Sequence, residues 1–161
     1  MTAEIAVRAV RPGDGAALHA MVKALAVSHG HEKEFVATPE SYEAALFCPN
    51  PVIGAFLAEV GGVPAGCAIW QRSFSTFRGA EKIYLEDLSV LPEFRRRGIA
   101  RVLLKAVARL AVIRGLAAVS WLMMDWNGGA RALYESVGAE IESGGNYCRL
   151  SGDALARLAQ A

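Results

Sequence analysis

Two adjacent carboxylates in an apolar run, and a basic turn that opens a helix, are the residues of this 161-residue chain best suited by type and spacing to do chemistry. The run is Ile83-Tyr84-Leu85-Glu86-Asp87-Leu88. Read as a regular strand, it points Ile83, Leu85 and Asp87 one way and Tyr84, Glu86 and Leu88 the other. Glu86 then has apolar neighbours on its face, which would tend to raise its pKa. The plainer reading of the same residue is a carboxylate paired with a nearby arginine or lysine. Asp87, on the opposite face, is expected in a structural role or as a substrate contact at the strand end. Pro92 cannot donate to a ladder and ends the strand. Arg95-Arg96-Arg97-Gly98-Ile99-Ala100 then leads into a helix from about Gly98 to Arg114, with Val102, Leu103, Ala106, Val107, Leu110 and Ile113 at helical spacing. Gly98 allows close approach of a ligand to the backbone. The free N–H groups of a helix start favour a phosphate, and three arginines add charge and fork-shaped donors. Three arginines alone are usually a solvated patch; the glycine and helix start directly after them favour an anion site.

A second group lies downstream, in Trp126-Asn127, Ala130 and Tyr134. Asn127 suits a helix cap. Tyr134, seven residues further on, reads by itself as a core tyrosine with a satisfied hydroxyl, and Trp126 by itself as a core residue. Cys48, Cys67 and Cys148 are odd in number and irregularly spaced, so they read as reduced thiols of a cytoplasmic protein, without a disulfide frame or a zinc site.

The turn Arg95-x-x-Gly98-x-Ala100 after a strand resembles the pyrophosphate-binding motif of the GNAT N-acetyltransferase superfamily, R/Q-x-x-G-x-G/A. Ile83-Tyr84-Leu85-Glu86-Asp87-Leu88 resembles the diamine acetyltransferase branch, that of the spermidine/spermine and thialysine acetyltransferases. Trp126-Asn127-x-x-Ala130-x-x-x-Tyr134-x-x-x-Gly138-Ala139 is similar to the same branch, and the resemblance covers most of the chain. Arg96 stands where the loop commonly has glycine, and Ala100 replaces its last glycine, an accepted variant. The resemblance implies transfer of an acetyl group from acetyl-CoA directly to a primary amine: a polyamine, a diamine, or a lysine- or thialysine-like amine. Such an amine, with a pKa near ~10.4, is neutral in roughly one molecule in a few thousand at pH 7. A group must therefore take its proton, and the resemblance gives that role to Glu86. It makes Tyr134 the acid that protonates the departing thiolate. It places the pantetheine arm of acetyl-CoA against the backbone of Leu88, Ser89 and Val90, and its pyrophosphate at Arg95, Arg96, Arg97, Gly98, Ile99 and Ala100. Asn127 and Ala130 join the cosubstrate site, while Glu86, Asp87 and Trp126 contact the amine. No metal is implied, and a homodimer involving the C-terminal strands is. A GNAT enzyme for a protein or drug amine is the alternative within the superfamily. A non-catalytic acyl-CoA-binding module is the alternative outside it, and the presence of both Glu86 and Tyr134 weighs against it.

The elements that must position these residues follow from composition and pattern. The length predicts one domain over residues 1–161 with a sizeable core. Hydrophobic residues make up 53% and mean hydropathy is +0.28, rich enough to expect apolar surface buried in a partner. A net charge of +1 argues against nucleic acid held by bulk charge, and charged residues interrupt every apolar run before it reaches membrane-spanning length. Alternation, the Gly61-Gly62 turn and the stop at Pro92 predict strands at residues 5–9, about 53–60, about 63–72 and from 83 up to Pro92, and a buried strand is expected at 117–125. A final hairpin is expected over 139–143 and 146–150. Helices are expected after Asp14, from Thr38-Pro39, over 98–114, after Gly128-Gly129 through Val137, and near the end. With the resemblance this makes an α/β (α+β) fold: a GNAT-like mixed central sheet of about seven strands with helices on both faces.

Overall fold

Residues 4–160 are described by the structure, a computed structural model, and they form two compact units, one ending at Leu122 and the other beginning at Met123. The first unit is built on a five-stranded sheet in the order β1 (Ile5–Ala9), β2 (Ile53–Val60), β3 (Val63–Ser75), β4 (Ala80–Val90), β5 (Val119–Ser120). The first four strands are antiparallel neighbours, and β4 pairs with β5 in parallel. Gly61 and Gly62 join β2 to β3 with φ of 59° and 81°. A two-residue loop of matching twist requires this conformation, and glycine adopts it without steric cost. Among the described residues no helix is long and apolar enough to cross a membrane.

Helices α1 (Gly15–Ser28) and α2 (Pro39–Phe47) cover one face of the sheet, and α3 (Ile99–Ile113) covers the other. Leu18 and Met21 of α1 and Leu46 of α2 share a buried cluster with Ala55, Leu57, Cys67 and Ile69 of the sheet. Ile99, Leu103, Leu104, Val107 and Ala111 form the buried stripe of α3. Alternation along β3 separates the two cores. Cys67 and Ile69 face α1 and α2, whereas Gly66 and Trp70 face α3. A Cβ on Gly66 would stand 3.1 Å from Ile99 Cγ2, and the Arg114 guanidinium lies 5.1 Å from the centroid of the Trp70 ring.

The helix starts are made partly by the residues expected to make them. Thr38 caps α2 in a reciprocal pair with Ser41, and Pro39 occupies the first turn. Asp14 stands at the start of α1 but does not cap it. Its carboxylate is taken by Arg8, at 2.6 and 3.0 Å, which holds it below the ordinary carboxylate range. Glu43 of α2 fills the vacated role, its Oε1 accepting from the N–H groups of Gly13 at 3.0 Å and Gly15 at 2.6 Å. The two helices are close enough there that a Cβ on Gly15 would lie 2.5 Å from the Pro39 carbonyl oxygen.

The second unit contains α4 (Gly128–Ser136) and α5 (Gly152–Gln160). The α+β class expected from sequence holds, but the described residues form five strands rather than about seven. Residues 139–150 do not form the expected hairpin. Ile141, Tyr147 and Leu150, within its expected arms, are exposed, and a two-stranded hairpin without a buried face is marginal in water. The buried strand expected over 117–125 contracts to Val119–Ser120, which pair with Ile83 and Tyr84 of β4.

Candidate active site

A single irregularity in β4 determines where its carboxylates go. Trp70 pairs with Leu85 and Ile69 pairs with Asp87, so Glu86 is an extra residue with no partner of its own, a β-bulge. Residues directly opposite in the ladder share a face. Leu85 therefore lies with Trp70 on the α3 face, and Asp87 lies with Ile69 on the α1/α2 face. Ser89 confirms the second assignment, since its Oγ donates to the Met21 carbonyl of α1 at 2.8 Å. Val90 confirms the alternation beyond it, its Cγ2 lying 3.2 Å from a Cβ built on Gly66. Glu86 reaches Gln71, whose Nε2 donates to Glu86 Oε2 at 3.4 Å; alternation from Trp70 puts Gln71 on the α1/α2 face.

Two sequence expectations are thereby corrected. Glu86 and Asp87 do not face opposite ways, because the bulge absorbs one residue of alternation and brings both carboxylates to one side. Leu88 does not share a face with Tyr84 and Glu86, because the same shift carries it to the α3 side. The apolar surroundings expected for Glu86 belong to Asp87. Glu86 is exposed, whereas Asp87 is half-buried beneath α1 and α2. Burial, reinforced by the Glu86 charge, pushes the Asp87 pKa up to about 6. No glycine or proline marks the bulge; the adjacent carboxylates in an apolar strand were the only signal.

At the same place β4 loses its neighbour on the other edge. Ile83 N–H donates to the Ala118 carbonyl at 2.9 Å, and Ile83 and Tyr84 pair with Val119 and Ser120. Past Tyr84 the β5 side of β4 carries no strand among the described residues, while the β3 side stays paired through Leu88, Ser89 and Val90. The Ser120 hydroxyl, where the ladder stops, is buried with no hydrogen-bond partner.

The basic turn follows a single 3-10 turn at Pro92–Phe94. Arg95 and Arg97 fold back onto the loop. Arg95 Nε donates to the Val90 carbonyl at 3.1 Å, Arg97 Nη2 donates to the Glu93 carbonyl at 3.3 Å, and the Arg97 guanidinium lies 5.5 Å from the centroid of the Phe94 ring. Arg96, with φ 64°, is the single non-glycine residue of positive φ among those described, and Gly98 follows at φ 80° as the N-cap of α3. Backbone turned in this way gathers N–H groups into an anion-binding concavity. A Cβ on Gly98 would meet no atom within 4 Å, so the turn opens outward. Ile99 is buried and anchors the helix start, and Ala100 is half-buried. An open turn, a helix N-terminus and a strand edge without a partner fit a long phosphate-bearing group with an amide-containing arm, such as acetyl-CoA.

In the second unit, Asn127 caps α4, its Oδ1 accepting from Ala130 N–H at 3.0 Å. Tyr134, two turns along, is 8% exposed, and burial raises its hydroxyl above the ordinary tyrosine pKa. Trp126, expected in a core, is 59% exposed.

Residues 16–139 match the Acetyltransferase (GNAT) family. The chain is 34% identical over 128 residues to a thialysine N-epsilon-acetyltransferase of Caenorhabditis elegans, covering 80% of this chain and 78% of that one. It is 30% identical over 166 residues to the thialysine N-epsilon-acetyltransferase of Bos taurus, covering 96% and 97%. An aminoglycoside N-acetyltransferase in complex with CoA superposes with a TM-score of 0.73 at 20% identity, covering 93% of this chain and 97% of that one. The chain belongs to the GNAT acetyltransferase family. It is an N-acetyltransferase, an enzyme that transfers an acetyl group to an amine, and acetyl-CoA is the donor its family uses.

Proposed function

We propose that the acceptor is a small aliphatic primary amine (a polyamine, a diamine, or a lysine- or thialysine-like amine) and that the reaction runs by direct attack of this amine on the acetyl thioester. The observation that carries the reading is the bulge at Glu86, which turns two carboxylates to one side of β4 where its β5 edge opens. A slender ammonium compound suits paired carboxylates at a strand opening, and the relatives named for thialysine act on an amine of that kind. Acetyl-CoA supplies the activated acetyl group. Its pyrophosphate is held by the Arg95–Ala100 turn and the first N–H groups of α3, and its pantetheine arm by the backbone of Leu88, Ser89 and Val90, with Asn127 and Ala130 completing the site. Because Arg95 and Arg97 are tied to loop carbonyls, their part is to hold the turn in shape.

Glu86 accepts the proton of the amine, directly or through water, from an exposed position that can release it to solvent. Asp87 and Trp126 contact the amine. Tyr134 keeps its proton at neutral pH and delivers it to the leaving thiolate. The enzyme works as a homodimer in the cytoplasm, a setting that suits the thiols of Cys48, Cys67 and Cys148, all free.

The test is release of free thiol from acetyl-CoA on addition of single amines: thialysine, lysine, ornithine, putrescine, spermidine, an aminoglycoside and a lysine-containing peptide. Turnover with the aliphatic amines, and little with the last two, is expected. Turnover confined to the aminoglycoside or the peptide overturns the substrate class.

A further inference from the structure

The sheet face beneath α1 and α2 contains a carboxylate without a counter-ion. Asp87 is half-buried there, and among the described residues its side chain has neither a hydrogen bond nor an ion pair. Ile69 lies across the ladder from it, and Ser89, two residues on, spends its hydroxyl on Met21. α1 offers this face Leu18, Met21 and the partly buried Val22, none of them charged. The titratable groups that act on Asp87 or feel its charge are Glu86 on β4, Cys67 on β3 and Tyr42 on α2. None is a cation. Burial and the Asp87 charge push the Tyr42 phenol up to about 12, and burial pushes the Cys67 thiol up as well, so both are neutral at pH 7. An ionised carboxylate in such a place lacks compensation until a cation arrives. The acceptor of this enzyme is an amine, and an aliphatic amine is protonated almost completely at neutral pH.

Tyr42 brings an aromatic side chain to this corner. It is half-buried and packs against the buried cluster that contains Leu18, Met21, Cys67 and Ile69. α2 is a short helix, yet it is fixed at both its cap and its side. The Thr38–Ser41 pair holds its first turn, and Glu43, adjacent to Tyr42, accepts from Gly13 and Gly15 at the start of α1.

We propose that Tyr42 is a specificity-determining residue for the acceptor: its ring walls a seat for a primary ammonium group whose carboxylate is Asp87, and Glu43 is the positioning residue that holds the wall in place. The inference rests on the reading of Asp87 as an amine contact given above, and adds to it an aromatic wall and the helix contact that fixes it. The ligand class is a primary ammonium on an unbranched alkyl chain, which the ring face attracts through its quadrupole and the carboxylate through charge.

Calorimetry of the CoA-loaded protein with 1,4-diaminobutane tests the seat without turnover. Wild type binds the diamine, and Tyr42→Phe, which keeps the ring, binds within about twofold of it. Tyr42→Leu binds roughly 3–30-fold more weakly, the range of a cation–ring contact. Asp87→Asn loses about tenfold or more. Glu43→Ala weakens diamine binding as Tyr42→Leu does, while Glu43→Gln, which retains the accepting oxygen, restores it. CoA affinity stays the same in all five variants, which a general loss of structure would not allow. Absence of diamine binding in wild type, or equal binding by Tyr42→Leu and wild type, overturns the proposal. Wild-type thiol release with primary amines separates the two readings. Turnover alongside either of those calorimetric results removes the seat and leaves the function, and no turnover with any primary amine removes both.

Discussion

At the scale of single residues, the neighbouring carboxylates of β4 behave differently because one is exposed and the other half-buried. The Asp87 pKa is raised from 3.8 to about 6, so the folded protein holds that proton more tightly than the unfolded chain does. The stabilisation is present below about pH 4 and is lost as pH rises toward 6. Ionising Asp87 inside the fold costs on the order of 2 kcal/mol, less to the extent that its exposed edge is screened. The amide introduced by Asp87→Asn cannot ionise, so the Tm of that variant minus that of wild type is expected to be more positive at pH 8 than at pH 4.5. Equal differences at the two pH values would show that Asp87 is not the strained carboxylate. Tyr134→Phe removes one hydroxyl and little volume. Turnover is expected to fall ~10²–10⁴-fold, the usual contribution of a general acid, with CoA affinity retained. Near-wild-type turnover under conditions where chemistry limits the rate would take the acid role from Tyr134.

At the scale of elements, the turn before α3 and the opening beside β5 do the positioning. Gly98 needs its positive φ, and a side chain there projects into open space. Gly98→Asp therefore costs the fold only ~1–2 kcal/mol of backbone strain, yet it sets a carboxylate against the anion site. Loss of one or two charge-assisted hydrogen bonds amounts to roughly 10–1000-fold in CoA affinity, measured by calorimetry beside a melting curve showing an intact fold. Unchanged affinity would move the pyrophosphate elsewhere. Much at this scale was legible in the residues. Thr38-Pro39 announced a helix start, Gly61-Gly62 a tight hairpin, and Pro92 with Gly98 the passage from strand to helix, because each acts through its own backbone chemistry. Glu86 showed only as a charge beside Asp87 in an apolar strand, since a bulge without glycine or proline depends on the register of two strands. The role of Glu43 at the start of α1 was hidden for a related reason: the donors it satisfies lie 28 and 30 residues away. The brevity of β5 was hidden as well: β4 runs on to Val90, so the length of their ladder is a matter of pairing between distant segments.

At the scale of the whole molecule, apolar side chains remain on the outside of both units. Val112 and Ile113 of α3 are 78% and 77% exposed, and Tyr147, Leu155 and Leu158 are exposed in the C-terminal unit. Exposed apolar surface of this kind marks association. Light scattering at micromolar concentration is expected to give about twice the 17.1 kDa of one chain, and a single-chain mass would count against the dimer. The bulge at Glu86 acts on β4 as an insertion acts on a reading frame. A strand is read two residues at a time, one for each face, and Glu86 is a letter inserted into that text. Excising it would set Leu85 directly before Asp87, opposite Trp70 and Ile69, in unbroken alternation. Every other residue of β4 would keep its face, so the insertion disturbs neither core. The shortened chain is expected to fold with the same cores and a melting temperature at or above that of the parent, yet to acetylate amines poorly, since one of the two carboxylates is gone. If it fails to fold, the inserted letter belongs to the architecture; if it folds without activity, the sheet is complete without Glu86 and carries that residue for the reaction.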